Sequence, residues 1–169
     1  MNEASISPVI IVGAGSVGLM LANLLGSRGI PALVVERRAS VEDSAKAIGI
    51  SPVSLEICNR LGLASTLIAA GRMVRGVSFH GERRKLGQLD FQAIGSEFPF
   101  ILSLPQGRTE AILAANLERF PQVRLLRQHE VKSLSRHGQF WRVSGHNQAL
   151  DVPFDLDGHF VVACAGGKS

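Results

Sequence analysis

The stretch PVIIVGAGSVGLMLANLLGSRGIPALVVE, residues 8–36, indicates the architecture of the chain. It opens with a short apolar, β-branched run at residues 8–12, which predicts a strand buried on both faces. Apolar residues then recur at helical spacing over residues 16–28, and Gly29 is placed to end that helix. A second apolar run at residues 32–35 predicts another buried strand. Strand, helix and strand within about 30 residues are typical of a crossover between parallel strands.

A glycine pattern, GxGxxG, lies between the first strand and the helix. Its residues are Gly13, Ala14, Gly15, Ser16, Val17 and Gly18. The first glycine permits a tight turn, the second lets a pyrophosphate approach the backbone, and the third lets helix and strand pack closely. The N-terminus of the helix offers N–H groups and partial positive charge to phosphates. The pattern predicts dinucleotide binding, and the alternative is a turn needed only for packing.

The residues after the second strand bear on which dinucleotide is bound. Glu36 ends that strand, where a carboxylate accepts hydrogen bonds from both ribose hydroxyls of an adenosine. Arg37 and Arg38 have the charge to hold the 2′-phosphate of NADP, but Glu36 would repel that group. The choice of dinucleotide therefore depends on later parts of the chain.

The rest of the chain predicts an α/β fold with a β-rich part. Helices are predicted at residues 53–61, 65–70 and 109–120, a hairpin around 81–85, and strands at 100–104, 123–127, 131–135, 140–144, 149–154 and 160–164. We expect the last strand, predicted to be buried, to return to the first sheet.

Composition narrows the class of protein. With 169 residues, 46% hydrophobic and 19% charged, the chain has the length and balance of one globular domain. A net charge of +4 from scattered arginines, no Tyr and one Trp argue against nucleic-acid binding. The uncharged stretch at residues 4–27 contains three closely spaced glycines and Asn23, so we do not interpret it as a membrane span.

Cysteine and histidine usage favours a reducing compartment and gives no metal site. Cys58 and Cys164 lie far apart and outside any CxxC spacing, which excludes a disulfide scaffold and points to the cytoplasm. None of the five histidines has metal-ligand spacing, and we interpret all five as surface or structural residues. We therefore predict no metal site.

Several later segments, taken with the glycine pattern and Glu36, carry a family resemblance. They are residues 45–52 (AKAIGISP), 55–57 (LEI), 61–63 (LGL), 104–106 (LPQ), 109–110 (TE), and Gly166 with Ser169. In these segments the chain resembles the FAD-dependent aromatic-ring monooxygenases, the para-hydroxybenzoate hydroxylase-like family. The resemblance covers essentially the whole chain and implies a Rossmann-type FAD-binding parallel sheet with an inserted part of a β-rich substrate domain.

The resemblance also implies roles for individual residues. Glu36 takes the place of the carboxylate that holds the FAD ribose, and Gln106 that of a glutamine that contacts the cofactor. Lys46 stands where an arginine usually approaches the FAD phosphates, and lysine lacks the planar fork of donors. The alternatives are an exposed lysine at position 46 and a polar residue that starts a helix at position 106.

The chemistry implied is NAD(P)H reduction of FAD, reaction with O2, and transfer of one oxygen atom to an aromatic or polyketide-like small molecule. The cofactor carries that chemistry while the protein positions it and excludes water. The catalytic side chains are therefore left unassigned. Arg37 is counted among the cofactor-binding residues.

The sequence departs from the family pattern at two places, and these departures limit the function that the resemblance implies. Ala165-Gly166 replaces an Asp-Gly pair, so a carboxylate used in FAD and NAD(P)H handling is absent. A later family motif, Gly-Asp followed by Ala-His and Pro, has no counterpart. We therefore expect a truncated FAD-binding domain that lacks a C-terminal half or a partner chain. Residues 1–72 and about 105–169 would bind the dinucleotide, and about 73–104 would form the β-rich insertion.

Three functions remain open from the sequence. The first is the N-terminal, FAD-binding part of a monooxygenase. The second is a non-catalytic remnant that binds a dinucleotide weakly, and the third is a fragment of a flavoprotein halogenase or prenyl reductase.

Overall fold

The computed structural model describes residues 7–41 and 49–166. In chain order its elements are β1 (Ser7–Val12), α1 (Ser16–Gly26), β2 (Ala32–Val35), β3 (Gly49–Ile50), α2 (Pro52–Arg60), α3 (Ala64–Ala70), β4 (Arg72–Val74), β5 (Gly76–His80), β6 (Lys85–Asp90), a 3-10 helix (Phe91–Ala93), β7 (Ile101–Ser103), α4 (Gln106–Asn116), a second 3-10 helix (Leu117–Arg119), β8 (Val123–Leu126), β9 (His129–His137), β10 (Phe140–Asn147) and β11 (Val152–Ala163).

The chain divides into two compact units. The first comprises Met1–Glu42 and Leu113–Ser169, and the second is the continuous segment Asp43–Ile112. These bounds differ from the division expected from sequence, which began the β-rich insertion at about residue 73. The assignment of residues 1–72 and 105–169 to dinucleotide binding stays a prediction.

The first unit is built on a six-stranded sheet with the order β8-β2-β1-β11-β10-β9. β8, β2, β1 and β11 are parallel, whereas β10 and β9 continue the sheet in antiparallel fashion. The predicted return of the last strand to the first sheet is confirmed, because Val12 of β1 pairs with Ala163 of β11. This is the mixed α/β sheet that the sequence predicts.

One strand prediction is wrong. Residues 149–154 and 160–164 were expected to form two strands, but β11 is a single strand over Val152–Ala163. Buried Gly158 marks the changeover, since it pairs with Trp141 of β10 on one side and with Ser7 of β1 on the other. The end of this strand is also less buried than expected, because Phe160 is 66% exposed.

The sheet curls over one of its own faces. Only residues 127–128 join β8 to β9, although these strands lie at opposite ends of the strand order. The backbone N–H of His129 at the start of β9 donates to the Glu36 carbonyl just after β2, at 2.9 Å. The meander of β9, β10 and β11 therefore reaches back to the parallel strands, and Val143 packs in one core with Ile10, Leu33 and Val35.

Helix α1 is confirmed, but Leu19 is the one large apolar residue on its buried face, and the other buried residues are small or polar. Of the apolar residues at helical spacing, Val17 is 71% exposed and Leu21, Leu24 and Leu25 are only partly buried. The buried residues of the helix are Gly18, Leu19, Ala22, Asn23 and Gly26. Small residues allow close approach: a Cβ on Gly26 would lie 2.7 Å from the Phe120 ring.

A buried amide network joins α1 to α4. Asn23 is fully buried, and its Nδ2 donates to the carbonyl oxygens of Leu19 at 2.8 Å and Leu113 at 2.9 Å. Asn116 Nδ2 donates to Asn23 Oδ1 at 2.7 Å. A buried side-chain amide needs partners for its two N–H hydrogens and for the two lone pairs of its oxygen. Three of these four positions of Asn23 have a partner here.

The second unit contains a three-stranded antiparallel sheet in the order β3-β7-β4, the helices α2 and α3, and a separate hairpin of β5 and β6. Its core includes the fully buried side chains of Leu55, Leu67 and Leu102. Ser51 caps α2 by accepting from the backbone N–H of Ser54 at 3.2 Å, and a proline follows at the first helical position.

The predicted hairpin is confirmed, with Val77 of β5 paired to Leu89 of β6. Its apolar side chains nevertheless face solvent, and Phe79 is 49% exposed. A two-stranded sheet has no second layer against which to bury them.

None of the helices in the described residues has the length and apolar character that a membrane-spanning helix requires.

Candidate functional site

The glycine pattern forms the turn between β1 and α1. Gly13 has a φ of +108°, and a Cβ there would lie 2.5 Å from the carbonyl oxygen of Cys164. A Cβ on Gly18 would collide with the carbonyl oxygen of Gly13. Both positions therefore require glycine, because the turn, the helix and the chain after β11 meet through their backbones.

The N-terminus of α1 has no side-chain cap. Its N-cap residue is Gly15, which has no side chain that could accept from the helix. The first N–H groups of an α-helix have no partner within the helix and carry partial positive charge. The turn thus has the donor chemistry that an anionic group requires.

Glu36 lies directly after β2 and is buried, with 6% of its surface exposed. Its Oε2 accepts from the backbone N–H of Ala14 at 2.7 Å. Its Oε1 accepts from the backbone N–H of Arg38 at 2.9 Å and from Arg38 Nε at 3.0 Å. One carboxylate therefore ties the end of β2 to the glycine turn.

The charge of Glu36 is maintained against its burial. Burial acts to raise the pKa of this carboxyl group, but the hydrogen bonds from Arg38 and Ala14 and the charge of Arg38 outweigh it. The net effect lowers the pKa of Glu36 below its ordinary value, so Glu36 is ionised at neutral pH.

A cleft of about 240 Å³ lies beside Glu36. It is lined by Val12, Gly13, Val35, Glu36, Arg37, His129, Glu130, Val131 and Ala165. These residues come from the ends of β1 and β2, the start of β9 and the chain after β11. Ligands of parallel α/β sheets bind outside the carboxyl ends of the strands, where this cleft lies.

His129 and Glu130 belong to the cleft although the sequence did not indicate them. His129 Nδ1 lies 2.6 Å from the Arg127 carbonyl oxygen, which only accepts, so Nδ1 carries the hydrogen. Its Nε2 then accepts from Asn147 Nδ2 at 3.2 Å. No local pattern marks these residues, because only the curl of the sheet brings the start of β9 to the end of β2.

The other predicted residues of the turn occupy distinct places. Ala14 directs its N–H to Glu36 and not outward. Ser16 and Val17 lie in the first turn of α1. Arg37 is exposed and lines the cleft. Lys46 lies outside the described residues.

Gln106 belongs to the second unit, where it is the first residue of α4. Its Nε2 donates to Oε1 of Glu110 at 2.7 Å, and Glu110 is buried. A role for Gln106 in cofactor binding stays a prediction.

Ala165 lies in the cleft beside the first glycine: the Cβ position of Gly13 is 3.0 Å from the Cα of Ala165. The resemblance led us to expect an aspartate at this point, and alanine offers no side-chain oxygen to a ligand. The preceding residue continues the sheet, since the Cys164 N–H donates to the Val12 carbonyl at 2.7 Å.

Neither cysteine has the surroundings of a nucleophile. Burial raises the pKa of both the Cys58 and Cys164 thiols, which disfavours the reactive thiolate. Within residues 7–41 and 49–166, no group of three or more His, Cys, Asp or Glu side chains is arranged to hold a metal ion.

Together these features define a class of protein. A glycine turn between a parallel strand and its helix, with an ionised acid at the end of the next strand, is the arrangement of a Rossmann-type dinucleotide-binding domain. The model of one family, described as FAD binding domain, matches residues 7–169. The chain belongs to this family.

A relative from Klebsiella pneumoniae, a 3-(3-hydroxy-phenyl)propionate/3-hydroxycinnamic acid hydroxylase, is 34% identical over 165 residues. That match covers 95% of this chain and 29% of the relative. The chain therefore spans less than a third of the length of this relative.

Two solved structures show the same fold. The anhydrotetracycline hydroxylase OxyS from Streptomyces rimosus matches with a TM-score of 0.82 and 32% identity, over 95% of this chain and 31% of that one. The p-nitrophenol 4-monooxygenase from Pseudomonas putida matches with a TM-score of 0.89 and 24% identity, over 97% of this chain and 42% of that one.

Proposed function

We propose that this chain is the FAD-binding part of an NAD(P)H-dependent flavoprotein monooxygenase that hydroxylates an aromatic or polyketide-like small molecule. The observation that carries the proposal is Glu36, which is buried, ionised and bonded to the glycine turn in a chain of the FAD binding domain family. The activities named for its relatives, an aromatic acid hydroxylase and an anhydrotetracycline hydroxylase, support the reaction class.

The described residues fit the adenosine and phosphate part of FAD. The helix N-terminus at Gly15 suits the pyrophosphate, and Glu36 suits the ribose hydroxyls. A cleft of about 240 Å³ is smaller than the roughly 300 Å³ at the low end for small-molecule pockets, so it suits one nucleoside and not a whole dinucleotide. The proposed cofactor-binding residues are Gly13, Ala14, Gly15, Ser16, Val17, Gly18, Glu36, Arg37, Lys46 and Gln106.

Bound FAD would supply the redox chemistry, with electrons taken from NAD(P)H and O2 as the oxygen donor. The residues of this chain bind and orient the cofactor. Gly13 and Gly18 keep the backbone close to the phosphate position, and Glu36 fixes the adenosine end of the cofactor. The residues that face the substrate are unassigned.

We propose a cytoplasmic location and a small-molecule aromatic substrate for this enzyme. A partner chain or a C-terminal part would complete the enzyme. The location is supported by Cys58 and Cys164, which are both free thiols.

An alternative is a non-catalytic chain that binds a dinucleotide weakly. Ala165 favours it, because this cleft residue lacks the carboxylate expected there. FAD affinity separates the two functions.

FAD titration of the purified chain, followed by flavin fluorescence, tests the proposal. We expect saturable binding that Glu36→Gln weakens roughly 10- to 100-fold, because hydrogen bonds to a charged group are lost. Glu118→Gln removes an exposed carboxylate of the same unit and serves as the matched control, with unchanged affinity expected. ADP should compete with FAD, and riboflavin should not. A folded chain that binds neither FAD nor ADP would contradict the proposal and support the weakly binding alternative.

A further inference from the structure

Arg38 lies two residues beyond Glu36, yet its side chain turns back to that carboxylate. The backbone N–H and Nε of Arg38 both donate to Oε1 of Glu36. A carboxylate oxygen accepts about two hydrogen bonds in the plane of the group, so a single residue occupies Oε1. The pair is partly shielded from water, with the Arg38 side chain 25% exposed and that of Glu36 6% exposed.

Fixing Oε1 also determines what Oε2 can do. A carboxylate is planar, so with Oε1 on Arg38 the other oxygen is directed to the N–H of Ala14 at 2.7 Å. Within the described part of the chain, Ala14 is the one donor bonded to Oε2, which leaves this oxygen a second acceptor position. Glu36 lines the cleft, so a hydroxyl of a ligand in the cleft could donate to this oxygen.

We propose that Arg38 is a positioning residue of the adenosine site, which holds the Glu36 carboxylate by Oε1 so that Oε2 can accept from a ribose hydroxyl. This role rests on the proposed function. Arg38 does not touch the ligand in this arrangement, and it acts through Glu36.

The adjacent residues Arg37 and Arg38 therefore have different roles. Arg37 is exposed and lines the cleft, whereas Arg38 is bonded to Glu36. An exposed ion pair contributes little, but a partly buried, charge-assisted pair orients its partner more strongly. Burial of Glu36 works against its charge, and the hydrogen bonds and charge of Arg38 act in the opposite direction.

The first test uses the chain without FAD. The Ala14 amide donates to Glu36, so its NMR chemical shift follows the titration of that carboxyl group. In Arg38→Met we expect the titration midpoint to move to higher pH, and in Arg37→Met to stay in place. The other ionisable groups that line the cleft are His129 and Glu130, and the comparison is repeated in a His129→Gln background.

The second test measures FAD affinity against pH. Arg38→Met should weaken binding roughly tenfold at pH 7, with a larger loss toward pH 5 as Glu36 takes up a proton. Arg38→Lys keeps the charge but not the two-point hydrogen bonding, so it should restore part of the affinity.

The outcomes separate the two proposals. An Ala14 titration that is the same in wild type and in both Arg38 variants would overturn the positioning role, whatever happens to affinity. If Arg38→Met does not fold, the Ala14 titration of Arg38→Lys is compared with that of wild type in its place. Failure of the wild-type chain to bind FAD would overturn the proposed function, while a shifted Ala14 titration would still show that Arg38 controls Glu36.

Discussion

The glycine turn of the first unit and the β5–β6 hairpin of the second unit use similar residues with opposite results. Both combine glycine with short strands that carry some apolar side chains. At the turn, Gly13 and Gly18 have no room for a side chain, and Glu36 is fixed by three hydrogen bonds. In the hairpin, Gly87 has no atom within 4 Å of a Cβ, and Leu86 is 63% exposed. Packing against a second layer, and not residue type, makes a position intolerant of change.

The largest expected effect is at Gly18. Gly18→Ala places a methyl group against the Gly13 carbonyl, so we expect a loss of about 3 kcal/mol of unfolding free energy or more. Gly87→Ala in the hairpin is the matched control and should change it by less than about 0.5 kcal/mol. Urea unfolding followed by circular dichroism measures both. Equal effects of the two variants would contradict the comparison.

The next largest effect is the loss of unfolding free energy when a buried asparagine side chain is removed, compared with an exposed one. Asn23→Ala leaves Asn116 Nδ2 and the Leu113 carbonyl buried without their partner, at a cost of about 2 kcal/mol. Asn59→Ala removes an exposed amide that bonds Glu97 and should cost less than about 0.5 kcal/mol. Chemical unfolding of the two variants gives the values. A cost for Asn59→Ala as large as that for Asn23→Ala would show that exposure does not govern these sites.

A smaller effect follows from the lowered pKa of Glu36. A carboxyl group whose pKa is lower in the folded than in the unfolded chain contributes stability above its unfolded pKa. That contribution is lost as pH falls through the folded pKa, below the ordinary carboxyl range. The difference in unfolding free energy between wild type and Glu36→Gln should therefore shrink between pH 7 and pH 3. A difference that stays constant over this range would mean that the charge of Glu36 does not act on stability.

The smallest effect is expected at Phe79. Phe79→Ser removes an exposed ring from the hairpin and should change the unfolding free energy by less than about 0.5 kcal/mol. The same urea experiment applies. A loss above about 1 kcal/mol would show that this ring is covered in solution.

The strand–helix–strand unit could be predicted from sequence because its signals are local. Buried runs, a GxGxxG turn and an acid at the strand end lie within 29 residues of one another. The return of the last strand to the first sheet was also expected from the sequence, although its pairing with β1 was not specified. Glu36 lies where the pattern predicted it, beside the glycine turn.

Other features depend on contacts that no local pattern encodes. The buried face of α1 contains two glycines and an asparagine. Gly26 packs closely against Phe120 and Gly18 against the Gly13 carbonyl, while Asn23 is bonded to α4. β11 runs on through Gly158 where the sequence suggested a break. His129 joins the cleft only because the sheet curls, and the bond from Arg38 to Glu36 requires a backbone turn that the sequence does not specify.

The strand order also has a consequence for synthesis of the chain. β1 is synthesised well before its neighbour β11, since Ser7 pairs with Gly158. At roughly 5–20 residues per second, β1 waits on the order of ten seconds on the ribosome with one edge unpaired. The second unit is continuous in sequence and can fold in the meantime, whereas the first must join the segments that lie before and after it. An unpaired apolar edge is prone to associate with other chains, so β1 is exposed to such association until β11 has been made.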